Sequence, residues 1–329
     1  MAPDGSSPLA LGFETGGKKI AAVVCDSAGS VVSRAETTRP SGNRAPGTLE
    51  LLLQVGKEAV ERAGATAEKL IGAGWGFGGM VDRHENQPYC NPHEPGWEGF
   101  PARQRIEDTF GVPLKVENDC NAAALAEYFL GAGERSGSIV YLTVGSGIGG
   151  GTVQNGRLLE GGRFGEMEIG HLVVEPDGLR CPCGNRGCLE ASCSGDGLGR
   201  LALANRERLL ETSPLARRLE GQPPEKIAPL LFEAFPEDPL AAFCIRAFID
   251  RMGLACSAII NLFNPETLVM GGGVLKHAWL LPEIQKAMAD RVAPQLQAPC
   301  RIKPSALGES VVPVGAALLG FQAAGQPFH

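Results

Sequence analysis

One histidine and three cysteines stand close together in the chain. His171 precedes the string Cys181-Pro-Cys183-Gly-Asn-Arg-Gly-Cys188. One imidazole and three thiolates make the donor set of a structural zinc site, which is usually tetrahedral with Cys and His ligands at short spacing. Thiolates favour soft metals, and the absence of an evident further ligand favours a closed, non-catalytic site. Gly184 and Gly187 would let the backbone fold tightly around an ion. The competing reading of the spacing is three unrelated thiols and a surface histidine. The other seven of the ten cysteines are scattered, most beside apolar residues, and read as reduced core thiols.

Glycine-rich turns are the second signal, because a triphosphate needs backbone N–H groups that can approach closely. Gly145-Ser146-Gly147-Ile-Gly-Gly matches the G-x-G-x-x-G pattern of dinucleotide sites in form only. That pattern requires a helix straight after the loop, whereas Thr152-Val-Gln-Asn-Gly-Arg continues as a hairpin. A phosphate-cradling hairpin fits better, with a merely tight hairpin as the alternative. A second turn, Gly16-Gly17, has Glu14 before it and Lys18-Lys19 after it. A carboxylate there could hold hydrated Mg²⁺, and a lysine could meet phosphate oxygens. The competing reading is a solvated charged turn.

The third signal is Val116-Glu-Asn118-Asp119-Cys-Asn, a polar cluster between an apolar strand and an Ala-rich helix. Asp119 reads either as a helix N-cap or as a general base that takes the proton from a hydroxyl attacking phosphorus. In the second case Asn118 binds neighbouring hydroxyls.

The elements that carry these residues alternate. Leu9 to Phe13 and Ile20 to Val24 read as strands, and Thr48 to Ala63 as an amphipathic helix with Leu49, Leu52, Leu53, Val55, Ala59 and Val60 on one face. Ile71 to Phe77 reads as a strand, followed by a long irregular loop from Gly78 to Trp97, whose length hints at function. Val112 to Val116 is a short strand, Ala122 to Leu130 a helix, Ser138 to Val144 a buried strand, and Asn155-Gly156 a tight hairpin turn. The chain is then mostly helical to about Ile260. Thr267 to Met270 is a strand running into Gly271-Gly272-Gly273, and a last helix starts near Val314. Interleaved strands and helices place the protein in the α/β class.

The bulk numbers narrow the partners. A chain of 329 residues has ample length for one large or two medium domains. A net charge of −7 is a poor prior for nucleic-acid binding. The polar start lacks a signal sequence, and no run approaches about 18 apolar residues, so a membrane span is not expected. The expected location is the cytoplasm.

Taken together these strings resemble the ROK family (repressors, open reading frames and kinases), from about Leu9 to the last helix. Glu117-Asn-Asp-Cys-Asn-Ala-Ala-Ala-Leu-Ala-Glu looks like its catalytic segment and Gly145-Ser-Gly-Ile-Gly-Gly-Gly like its second phosphate loop. Glu168-Ile-Gly-His171, followed by Cys181-x-Cys-Gly-x-x-Gly-Cys-Leu-Glu190, looks like the family signature. The resemblance implies a two-lobed, actin-like (ribonuclease H-like) α/β fold with ATP and sugar in the cleft. The small lobe would hold residues 1–118 and about 307–329, and the large lobe 119–306 with zinc. It implies Asp119 as catalytic base, and Asn118, Glu168, His171 and Glu190 as holders of sugar hydroxyls. His171 would serve twice, with one ring nitrogen on zinc and the other towards sugar. Gly79 and Asn91 lie in loops that border the sugar pocket, Gly271 to Gly273 match the adenosine-binding segment, and Mg²⁺ accompanies ATP. A homodimer is a family expectation.

Two departures stand out. The first phosphate loop of the family usually reads Asp-x-Gly-Gly-Thr-Lys, against Glu14-Thr-Gly-Gly-Lys18-Lys19 here, so Lys18 replaces a hydroxyl; Gly79-Met80 stands where Gly-Pro is more usual. The leading expectation is ATP-dependent phosphorylation of a hexose or hexose derivative at the 6-hydroxyl. The alternative is a non-catalytic sugar-binding or regulatory protein with a phosphate loop altered by Lys18. A sugar-responsive DNA-binding regulator is disfavoured, because about eight residues before the first strand leave no room for a helix-turn-helix domain.

Overall fold

The computed structural model describes residues 7–17, 19–66, 68–91, 93–297, 300–326 and 328. It divides into two compact units. One comprises Met1–Tyr141, Gly151–Glu166 and Ser305–His329; the other comprises Leu142–Gly150 and Met167–Pro304. The second therefore begins inside a strand rather than at residue 119. The reason is packing: the helix after Asp119 lies against the C-terminal helix and the first sheet, so it belongs to the first unit.

The first unit opens with β1 (Leu9–Thr15), β2 (Lys19–Asp26) and β3 (Val31–Thr38), then α1 (Ala45–Arg62) and β4 (Leu70–Phe77). The strand β3 has a single buried residue and no clear apolar run, which is why the sequence did not announce it. The 78–97 segment is not irregular throughout. It contains a hairpin of β5 (Met80–Asp82) and β6 (Gln87–Cys90). After α2 (Ala102–Phe110) come β7 (Leu114–Asn118) and α3 (Asp119–Leu130). The first sheet has the order β3-β2-β1-β4-β7, with β1, β4 and β7 parallel. Leu49, Leu52, Leu53, Val55 and Ala59 of α1 are buried against this sheet, as the sequence periodicity requires; Val60 is half-buried.

Next come β8 (Ser138–Val144), β9 (Ile148–Gln154) and β10 (Arg157–Leu158), then α4 (Leu189–Cys193), α5 (Gly195–Asn205), α6 (Pro214–Arg218), α7 (Ile227–Ala234) and α8 (Pro239–Phe263). The chain continues through β11 (Thr267–Gly271), α9 (Leu280–Met288), α10 (Pro294–Gln297), β12 (Arg301–Pro304) and α11 (Val311–Ala323). The second sheet has the order β10-β9-β8-β11-β12. Pro313 falls inside the first turn of α11 instead of before it, a position proline tolerates because first-turn N–H groups have no helical partner.

The helix α11 packs on β1, β4 and α3. Its approach is backbone to backbone. A Cβ added at Gly12 would fall on the Pro313 carbonyl oxygen, one at Gly74 on that of Ala316, and one at Gly315 on that of Ala122. Small residues therefore let this helix and α3 sit directly behind the strands that carry the catalytic-type turn. No helix among the described residues is long and apolar enough to cross a membrane.

Candidate active site and metal centre

Three loops leave one edge of the first sheet side by side. The parallel register pairs Thr15 with Phe77 and Phe77 with Asn118, so β1, β4 and β7 end together. Gly16-Gly17, Gly78-Gly79 and Asp119 come directly after the three strand ends. Ligands of open α/β sheets bind at the carboxyl ends of strands, and all three of these segments are candidates from sequence.

The glycine at 78 is required by the approach of its neighbours. A Cβ there would lie 2.7 Å from the Thr15 carbonyl oxygen and 3.5 Å from Asp119 Oδ2. Asn118, not Asp119, is the N-cap of α3: its side chain accepts from the Cys120 N–H at 2.8 Å, a bond that Asp119 Oδ1 shares at 2.8 Å. Asn118 Nδ2 donates to the Gly79 carbonyl at 3.2 Å, and Asn91 Nδ2 to the Gly78 carbonyl at 3.0 Å. Gly79, Asn91, Asn118 and Asp119 thus converge in this unit, with the two amides bracing the loop and each keeping a second N–H.

At the first phosphate turn, the Gly16 N–H donates to the Lys19 carbonyl at 2.9 Å. Lys18 lies outside the described residues. Glu14 is half-buried, with Oε2 itself buried and lacking a hydrogen-bond partner, and the Lys19 ammonium stands 3.8 Å from it. Burial pushes the Glu14 carboxyl up to about 7; Lys19 opposes the rise and the Asp119 carboxylate adds to it. A buried carboxylate oxygen without a donor, next to a second carboxylate, fits a divalent cation in its hydration shell.

The second unit holds the other phosphate turn. The Gly145 N–H donates to the Gly147 carbonyl at 2.9 Å, so the glycine segment is a tight β8–β9 turn and not the start of a helix. Ser146 is exposed at its tip. Gly271 ends β11, and Gly272 has φ 97° with the Val144 backbone where a side chain would begin, so the Gly271 to Gly273 segment lies beside the end of β8. Glu190 Oε2 accepts the Ile148 N–H at 2.8 Å, and a Cβ on Gly147 would be 2.7 Å from that same oxygen. A candidate sugar-binding carboxylate is thereby attached to the candidate phosphate turn.

The ligand atoms of His171, Cys181, Cys183 and Cys188 all lie within 4.8 Å of one another. His171 Nδ1 is 3.7 Å from Cys181 Sγ, and Cys183 Sγ is 3.8 Å from Cys188 Sγ. Two thiolates on a tetrahedral zinc with bonds of about 2.3 Å stand roughly 3.8 Å apart. Gly184 and Gly187 have φ 98° and 77°, the left-handed conformation that glycine adopts freely. Burial pushes the Cys181 thiol up to about 12, so a metal must displace protons to bind here. The other imidazole nitrogen, Nε2, is 3.8 Å from Glu168 Oε2. The donor set and its spacing fit zinc, while three unrelated thiols would have no reason to converge on one imidazole.

Of the remaining cysteines, Cys25, Cys120, Cys193, Cys244 and Cys256 are buried as expected, whereas Cys90 and Cys300 are only half-buried; all ten are free thiols. Sequence reasoning missed Arg83, Glu117 and Glu166, which form an ion-paired cluster beneath the catalytic-type turn. Nothing in their spacing links them. Only folding brings residues 83 and 166 together.

Comparison with known proteins agrees with this geometry. The ROK family profile matches residues 10–323. A glucokinase from Thermotoga maritima is 34% identical over 279 residues, 82% of this chain and 87% of that protein. The crystal structure of a ROK family glucokinase from Streptomyces griseus in complex with glucose and AMPPNP superposes with TM-score 0.78 at 31% identity, covering 95% of this chain and 99% of that one. A xylose repressor from Bacillus spizizenii is also similar, 26% identical over 93% of this chain and 75% of its own length. The chain belongs to the ROK family and has the two-lobed, actin-like α/β fold of its sugar kinases.

Proposed function

We propose that this sugar kinase transfers the γ-phosphoryl group of ATP to the 6-hydroxyl of a hexose or hexose derivative, with Asp119 as general base. The observation that carries this reading is the shared strand edge. It brings Glu14 of the phosphate turn, the Gly78-Gly79 loop and Asp119 together in one unit. Glucokinases at 31–34% identity support the enzyme class.

In this reading Asn118, Asp119, Gly79 and Asn91 bind sugar hydroxyls, as do Glu168, His171 and Glu190. Asp119 accepts the hydroxyl proton as the oxygen attacks phosphorus. The Gly16-Gly17 turn and the Gly145 to Gly147 turn receive the phosphates, Lys19 supplies positive charge, and Gly271 to Gly273 take the adenosine. Glu14 would hold hydrated Mg²⁺, which would neutralise phosphate charge. His171 Nδ1, with Cys181, Cys183 and Cys188, would hold zinc, which would fix the imidazole tautomer and leave Nε2, beside Glu168, for a sugar hydroxyl. The reading includes a cytoplasmic homodimer, which light scattering tests.

A coupled ADP-release assay over a panel of hexoses, with ATP and polyphosphate as donors, is the decisive experiment. Turnover with at least one hexose is expected. Tight sugar binding by calorimetry without turnover would sink the kinase reading in favour of a regulatory protein whose phosphate loop is altered at Lys18.

A further inference from the structure

Arg83 stands where three segments of the first unit meet. Its guanidinium pairs with Glu166 through both terminal nitrogens, Nη1 with Oε2 and Nη2 with Oε1, the second at 2.9 Å. Nη2 also reaches the two oxygens of Glu117 at 3.3 Å and 3.4 Å. Asn121 of α3 closes the ring, donating Nδ2 to Glu117 at 3.2 Å and to Glu166 at 2.9 Å. These side chains are nearly out of water: 15% exposed for Arg83, 5% for Glu117 and 11% for Glu166. One cation holds two carboxylates that would otherwise repel, and a planar fork is the group suited to that task.

Each arm of this node leads to candidate substrate residues. Arg83 itself follows β5, in the hairpin between Gly79 and Asn91. Glu117 precedes Asn118 and Asp119, and its Oε1 accepts the Asn118 N–H at 2.9 Å. Glu166 stands two residues before Glu168. The residue between them, Met167, has φ 60°, a conformation that is costly for a side chain other than glycine. The hairpin is fastened to the 163–166 segment along its length. The Arg83 N–H donates to the Arg163 carbonyl at 3.0 Å, Asp82 Oδ2 takes Arg163 at 2.6 Å and 3.0 Å, and the Tyr89 and Phe164 rings lie 4.5 Å apart.

We propose that Arg83 is a positioning residue for phosphoryl transfer. Through Glu117 it fixes the turn that carries Asn118 and Asp119, and through Glu166 it fixes the backbone that enters Glu168. The proposal rests on the sugar-kinase reading and concerns residues that reading does not use.

The test measures sugar affinity by calorimetry, together with kcat and both KM values, for Arg83→Gln, Arg83→Lys, Glu166→Gln and the Arg83→Gln/Glu166→Gln double variant. Arg83→Gln is expected to weaken sugar binding at least 10-fold and lower kcat at least 30-fold, with the ATP KM within twofold. Arg83→Lys recovers only part, because an ammonium cannot span both carboxylates. The double variant recovers at least threefold over Arg83→Gln, because one of the two repelling charges is gone. A lowered melting temperature with sugar affinity and kcat within twofold per folded molecule means a structural brace only and overturns the proposal. If Arg83→Gln does not fold, Glu166→Gln decides: sugar affinity and kcat within twofold of the parent overturn it. A parent protein that binds sugar without turning it over refutes the kinase reading while calorimetry still decides Arg83. A parent that does neither overturns both.

Discussion

Asp119 and Glu14 are two carboxylates at neighbouring strand ends, and their surroundings set them apart. Asp119 opens α3, where its Oδ1 accepts the N–H of Cys120. Asp119→Asn is expected to lower kcat by about 10² to 10⁴, the range of general-base catalysis, while sugar affinity stays within a few-fold. Steady-state kinetics and calorimetry check the two halves. One Glu14 carboxylate oxygen is buried without a hydrogen-bond donor, and burial raises the pKa from 4.5 to about 7. A carboxyl with a raised folded-state pKa binds its proton more tightly in the folded protein. Stability therefore falls as pH rises from 4.5 to about 7, by about 3 kcal/mol in all if the rise is fully expressed. Without nucleotide or Mg²⁺, denaturant titrations at pH 5 and pH 8 should show this loss, and Glu14→Gln should remove most of it.

At the scale of elements, α11 is the support on which the site rests. It packs on β1 and β4 so closely that glycine at 12 and 74 is a matter of space. Gly74→Ala drives a methyl group into the Ala316 carbonyl and is expected to cost about 3 kcal/mol or more. Gly162→Ala, where a Cβ meets nothing within 4 Å, should change stability by less than ~0.5 kcal/mol. Urea midpoints of the two variants test the contrast. The hairpin of β5 and β6 teaches a different lesson. Its strands are three and four residues long and rich in polar and turn-forming types, so periodicity could not separate them from loop.

For the whole molecule, a zinc ion on His171, Cys181, Cys183 and Cys188 would join stability to substrate binding. It would hold the 171–188 segment together from four side chains, beside a small apolar cluster of Cys181, Cys188 and Ala191 with Leu179. Removing the ion with a chelator, or Cys183→Ser, should lower the zinc content below one per chain. Sugar affinity should weaken by 10-fold or more, because His171 loses its fixed orientation. Emission spectrometry and calorimetry read the two effects. Retained sugar affinity in a metal-free protein would detach His171 from the sugar.

Local chemistry was legible from sequence because it is written in contiguous strings. The cysteine–histidine set, the two glycine turns and the Asn118-Asp119 turn each lie within a few residues of the element that presents them. Strands β1, β2, β4 and β8 and helices α1 and α3 were legible too, since burial imposes a period that composition reveals. Tertiary structure alone decided the rest. It ends β1, β4 and β7 at one edge, makes Asn118 the cap and leaves Asp119 inside the helix, raises Glu14 through burial, and joins Arg83 to Glu117 and Glu166 across 34 and 83 residues. Such contacts depend on how sheets and helices pack. No spacing along the chain records them.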